Sequence, residues 1–163
     1  MKNAPLAFPF FLALAAFLFC PLFFPSIRLA AFAPFLAIVL KRKTLLHALW
    51  IAVLSGLIVD LCNSDLFFGF FALSYGLAAA IAYLARKWFT LEVPPSFAIY
   101  TALISALCSL IQLVFLSFPF QPSALFSNLF LMPLADGLYA FFWFTCPMLG
   151  YTAWKKRRRS FFR

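Results

Sequence analysis

Two carboxylates stand inside hydrophobic runs of this sequence, Asp60 in ALWIAVLSGLIVDLC and Asp136 in LMPLADGLYAFFWF. A charge at the centre of a lipid layer costs about 3 kcal/mol or more, so each needs a reason to be there. Proton relays pair a deep carboxylate with a titrating partner. The single histidine, His47, instead sits beside the basic cluster at 41–43, far from both carboxylates. Asp60 stands near the end of its run and is expected to contact another helix or a partner subunit at the outer surface. Asp136 is expected close to the outer interface if its crossing starts after Pro133. The hydroxyls, thiol and amide of Thr101, Ser105, Cys108, Ser109 and Gln112 recur at helical spacing, so they form one polar stripe that should face other helices rather than lipid. Such a stripe serves a substrate pocket or, more commonly, interhelical hydrogen bonding.

Nothing in these residue types makes a reaction centre. Cys20, Cys62, Cys108 and Cys146 fall singly, with no metal-ligand spacing, and read as small packing residues. There is no phosphate-cradling glycine loop, no nucleophile beside a base and no acidic cluster for a divalent ion. The expectation is a chain without enzymatic activity, cofactor or metal.

The elements that must position these groups follow from composition. Of 163 residues, 66% are hydrophobic and 10% charged, against roughly half apolar and a quarter charged in soluble domains. That excludes a water-soluble fold and predicts an all-α integral membrane protein. A net charge of +9 does not point to nucleic acid, because the cations lie between the apolar runs and the phenylalanines within them, with no basic face carrying stacking aromatics.

With about 20 apolar residues per crossing, six helices, or five, account for one domain over 1–163. They are predicted at about 6–24, 29–40, 45–62, 66–85, 97–118 and 124–153, followed by a basic tail at 154–163. The first run is longer than the apolar core of a signal peptide and lacks a small-residue cleavage site, so it is read as a retained helix. The second, Leu29–Leu40, is too short to cross unaided. Either Arg28 and Lys41 reach opposite interfaces, or the run is a re-entrant hairpin broken near Pro34. The sixth either tilts and kinks at Pro133 or lies along the outer interface until Met132.

Orientation follows from the cations. Lys41, Arg42 and Lys43, then Arg86 and Lys87, then Lys155, Lys156, Arg157, Arg158 and Arg159 are separated by pairs of crossings. They therefore share the cytoplasmic side together with Lys2 and Arg163, and of the 13 basic residues Arg28 alone lies outside. Both termini are placed inside, in a bacterial-type inner membrane. The tail, with Phe161 and Phe162, also suits anionic lipid headgroups. Small residues mark the helix contacts. Ala48, Ala52, Gly56 and Asp60 repeat every fourth residue, and a matching groove is expected on the fourth helix along Gly69, Ala72, Gly76, Ala80 and Tyr83.

The segment Ser55-Gly56-Leu57-Ile58-Val59-Asp60-Leu61, then Phe68-Gly69-Phe70-Phe71-Ala72-Leu73, closing on Tyr83-Leu84-Ala85-Arg86-Lys87, resembles the rod shape-determining MreD family. The resemblance extends through length, span number and basic C-terminus over nearly the whole chain, with Gly56, Asp60, Gly69 and the basic ends as its discriminating residues. Phenylalanine richness and the connection Asn63-Ser64-Asp65-Leu66 depart from the pattern. The resemblance implies a non-enzymatic subunit of the cell-elongation machinery. It would work in the membrane with MreC, RodA and its partner transpeptidase, and indirectly with MreB, in peptidoglycan synthesis. It also implies the S-component-like membrane fold, and with it a second reading, the substrate-binding S component of an energy-coupling-factor vitamin transporter. Against that reading, the first helix lacks a sustained every-fourth-residue alanine ridge, since Phe17 follows Ala13. An orphan enzyme of lipid metabolism has no residue in its favour.

Overall fold

The computed structural model describes residues 5–23, 30–62, 67–89, 94–116 and 126–146. Arg28, the connection at 63–66 and the basic tail, Lys155 to Arg159 included, lie outside them. Every regular element among the described residues is helical: α1 (Ala7–Phe23), α2 (Ala33–Arg42), α3 (Leu45–Cys62), α4 (Phe70–Ala85), a 3₁₀ turn (Arg86–Trp88), α5 (Pro94–Leu116) and α6 (Met132–Tyr139). Wider π-helical turns, Ser127–Leu131 and Ala140–Thr145, flank α6. The all-α class expected from composition is therefore observed. Two helical stretches, Leu45–Cys62 and Pro95–Phe115, are long and apolar enough to cross a membrane by length and composition.

The shortest of the expected runs is the most enclosed. Every residue from Ala31 to Leu40 is buried, and α2 packs against α1, α3, α4 and α5. Pro34 opens this helix in its first turn rather than breaking a hairpin, as a residue with no N–H to donate and a helical φ should. α1 seals one side with rings: Phe10 meets Phe32 and Phe35, and Phe17 meets Phe32. Part of the phenylalanine content is thus packed between helices. At about 1.5 Å per residue, α2 is about 15 Å long.

α3 and α4 form an antiparallel pair whose closest approach is at Gly56. A Cβ there would lie 2.4 Å from the Ala72 Cα and 2.6 Å from the Phe71 carbonyl oxygen, so glycine is required for the backbones to meet. Ala48 and Ala52 continue the same buried face. The α4 face departs from the expected groove: its buried positions are Ala72, Ser74, Tyr75, Ala78, Ala79 and Ala82, whereas Ala80 and Tyr83 are half-exposed and Gly76 meets the Val53 side chain. Gly69 is not a groove residue. It precedes α4 at φ +93°, with nothing within 4 Å of an added Cβ, so it supplies a left-handed turn that other residues adopt at a cost of about 1–2 kcal/mol.

In the last segment Pro133 is buried in the first turn of α6, and the wide turn lies just before it. A proline removes one i→i−4 bond and crowds the preceding turn, and a wide turn relieves both. Gly137 brings α6 against Ala98 and Ala102 of α5.

Three hydroxyls of this bundle bond within their own helices: Ser55 to the Ile51 carbonyl, Ser74 to Phe70 and Thr101 to Phe97. The outward stripes are apolar. Leu46, Trp50 and Leu54 on α3, Leu73, Leu77, Ile81 and Leu84 on α4, and Phe130, Leu134, Leu138 and Phe142 along α6 and its flanking turns are all exposed.

The Gly56 contact gives a direct test. Gly56→Ala should lower the thermal midpoint of the purified protein by several degrees even though alanine gains roughly 1 kcal/mol over glycine in a helix interior, because α4 must move away. Gly76→Ala, facing a side chain that can turn aside, should leave the midpoint nearly unchanged. Circular dichroism on heating distinguishes the two.

Candidate functional site

Both buried carboxylates hold backbone of another part of the chain, Asp60 in the first turn of a helix and Asp136 in the segment just before one. The first turns of a helix leave N–H groups without internal partners, and an anion placed there meets both those donors and the positive end of the helix dipole. Asp60 stands sixteenth of the 18 residues of α3, one turn after Gly56. Its Oδ1 accepts the Phe71 N–H and its Oδ2 the Ala72 N–H, each at 3.0 Å. Gly56, Asp60 and Gly69 thus serve one joint: Gly56 admits the backbone of α4, Gly69 turns the chain into it, and Asp60 caps it. The partner of Asp60 is a helix of its own chain.

Asp136 forms the second joint and is 1% exposed. Its Oδ1 accepts the Ala30 N–H at 3.0 Å, and its Oδ2 accepts a hydrogen bond from the Ser105 hydroxyl. Tyr139, one turn further on, donates to the Ala31 carbonyl at 3.4 Å. Residues of α6 and α5 therefore hold the segment that leads into α2. Ser105 is the twelfth of the 23 residues of α5, so this joint lies halfway along that helix. Asp136, expected near the outer interface if a crossing began after Pro133, thus sits inside the bundle beside the middle of α5. The proline marks the start of α6 but not the edge of the bundle, since helical turns continue before it.

A third joint, with a cation, closes the opposite end of α2. The Lys41 ammonium donates to the carbonyls of Arg86 and Phe89, where α4 runs out into the 3₁₀ turn and carbonyls lack partners. Lys41 therefore turns to a neighbouring helix end rather than outward to an interface. The Arg86 guanidinium donates to the Lys43 carbonyl at 3.4 Å and stacks 3.8 Å over the Tyr83 ring. Lys41 and Lys43 thus share one end of the bundle with Arg86, as their spacing predicts. His47 opens α3 at that end, its Nδ1 2.8 Å from the Thr44 hydroxyl. Tyr100 donates to the Ala82 carbonyl at 2.9 Å and stacks on Phe89, fixing α5 to the same corner.

The polar stripe on α5 is divided by these contacts. Ser105 joins Asp136, Thr101 turns to its own helix, Cys108 is buried, and Ser109 and Gln112 are half-exposed. What sequence reasoning missed is the seat of the Ala30 N–H and the Ala31 carbonyl, because backbone donors and acceptors carry no mark in a sequence. Among the described residues, no group of three or more His, Cys, Asp or Glu comes together to hold a metal ion. Compared with known proteins, the chain matches no family model, no curated protein and no solved structure.

Removing a charged acceptor from two buried N–H groups costs about 3 kcal/mol. Asp60→Ala should therefore lower the thermal midpoint strongly, and Asp60→Asn, which keeps one acceptor oxygen, by about half as much. Lys41→Met, which keeps the stem and removes the ammonium, should fall between the parent and Asp60→Ala. Thermal unfolding of the purified variants reads all three.

Proposed function

We propose that this chain is a multi-pass protein of a bacterial-type inner membrane, a six-helix bundle of S-component-like fold with both termini in the cytoplasm. In this reading it serves as a non-enzymatic scaffold subunit of the cell-elongation machinery, akin to MreD. The membrane part is supported by an inversion of the water-soluble pattern. Large apolar side chains face outward in continuous stripes, more than a soluble surface tolerates, while Asp60, Asp136, Thr101 and Ser105 are hydrogen-bonded inside. Lys41, Lys43, Arg86 and Lys87, at one end of the bundle, then mark the cytoplasmic face. α2 covers about half the hydrocarbon thickness of roughly 30 Å.

The observation that carries the scaffold reading is the single joint made by Gly56, Asp60 and Gly69, the residues on which the family resemblance rests. A fixed α3–α4 pair presents a stable outer surface, with Leu46, Trp50, Leu54, Leu73, Leu77 and Ile81 exposed. Such a surface suits the transmembrane helices of partners such as MreC, RodA and its transpeptidase, with the basic end turned toward MreB. The alternative S-component reading needs the α5 stripe to line a pocket. Its Thr101 and Ser105 hydroxyls are instead occupied by internal bonds, which favours structure over ligand capture.

Two outcomes test the proposal. In a rod-shaped host, loss of this chain should give rounded cells, and the tagged protein should co-purify with an MreC-type partner. Asp60→Ala should weaken that co-purification at least as much as it reduces the amount of folded protein. Unchanged cell shape, together with co-purification of a transporter coupling subunit and its ATPases, would replace this reading with the vitamin-transport one.

A further inference from the structure

We propose that Asp136 is a proton-exchanging site at mid-membrane whose protonation state sets how firmly the start of α2 is held. The inference rests on the membrane part of the preceding reading and is independent of the elongation role.

The geometry is that of a carboxylate seated among neutral donors. Among the described residues it accepts from a backbone N–H and a hydroxyl. Around it, α4 contributes Tyr75, α5 Cys108 and α6 its own Tyr139. Tyr75 and Cys108 are both buried in the core of the bundle. From α2 come backbone groups at the near end, with Lys41 and Arg42 about 15 Å away at the far end. Arg28, the nearest cation in sequence, is outside the described residues. Asp60, in contrast, belongs to the α3–α4 joint at the end of α3.

The two protonation states use this seat differently. As a carboxylate, Asp136 accepts from both Ala30 and Ser105 in charge-assisted bonds, which are roughly twice as strong as neutral ones. As the neutral acid it has one hydroxyl to donate. Ser105 must then turn its own proton elsewhere, as Thr101 does toward the carbonyl four residues back. The Ala30 bond then has a weaker acceptor. Nothing is consumed in this step: one proton enters and the same proton leaves. The π-helical turns on both sides of α6 supply the slack such a loosening needs, since wide turns inside helices accommodate local shifts without breaking the hydrogen-bond ladder.

The test uses the full chain in liposomes. Infrared difference spectra between mildly alkaline and mildly acidic buffer should show the carbonyl stretch of a protonated carboxylic acid. That band should be missing in Asp136→Asn and should shift in its titration midpoint in Ser105→Ala. In a variant with alanine at Cys20, Cys62 and Cys146, a pyridyl disulfide that stays reactive in acid should label Cys108 several-fold faster after acidification, and adding Asp136→Asn should make labelling fast at both pH values. A band that persists in Asp136→Asn, or Cys108 labelling indifferent to both acid and that substitution, overturns the proposal. A chain that does not enter liposomes overturns the membrane reading beneath it.

Discussion

Helices that begin inside a protein leave backbone N–H groups with no water to satisfy them, and this bundle meets that constraint with side chains borrowed from elsewhere in the chain. Asp60 covers the first turn of α4 through two 3.0 Å bonds, and Asp136 holds the backbone leading into α2. In lipid such groups would each cost several kcal/mol unpaired. The cost of burying each carboxylate is thus offset by the donors it satisfies, and for Asp60 also by the α4 dipole it faces. On this account the two buried acids, which first suggest chemistry, are structural ties.

The remaining contacts depend on those ties. Gly56 is required because Asp60 reaches the α4 backbone only if the two helices approach within the space of a missing Cβ. Gly69 is required because the chain must turn sharply into that cap. Lys41 closes the other end by donating to the carbonyls of Arg86 and Phe89, so α2 is tied by an anion where it starts and ties its neighbour with a cation where it ends. α2 has too few residues to cross the bundle and is fully enclosed, and this pair of ties is what places it.

Much of this was legible in the sequence, and what was not has identifiable reasons. The four-residue spacing from Ala48 to Asp60 put a small-residue face and its terminal carboxylate on one side of α3, where both are found. Cation spacing put Lys41, Lys43 and Arg86 at one end, because two helices, α3 and α4, lie between them and run out and back. Register was another matter. The meeting of Asp136 with Ser105 and Ala30 could not be read, because a sequence gives no register between α6 and α5. Gly69 was read for its size when its φ was what mattered, as small residues serve both purposes. The burial of α2 was hidden because a short apolar run between cations looks the same whether lipid or protein surrounds it.

The central claim is that Asp60 caps the first turn of α4 and that Asp136 holds the backbone leading into α2. Residue-resolved amide hydrogen exchange reports on it most directly. Phe71, Ala72 and Ala30 should exchange slowly in the parent chain. Phe71 and Ala72 alone should accelerate in Asp60→Ala, and Ala30 alone in Asp136→Ala. Exchange at these three amides that is already fast in the parent, or that is untouched by either substitution, would contradict the account.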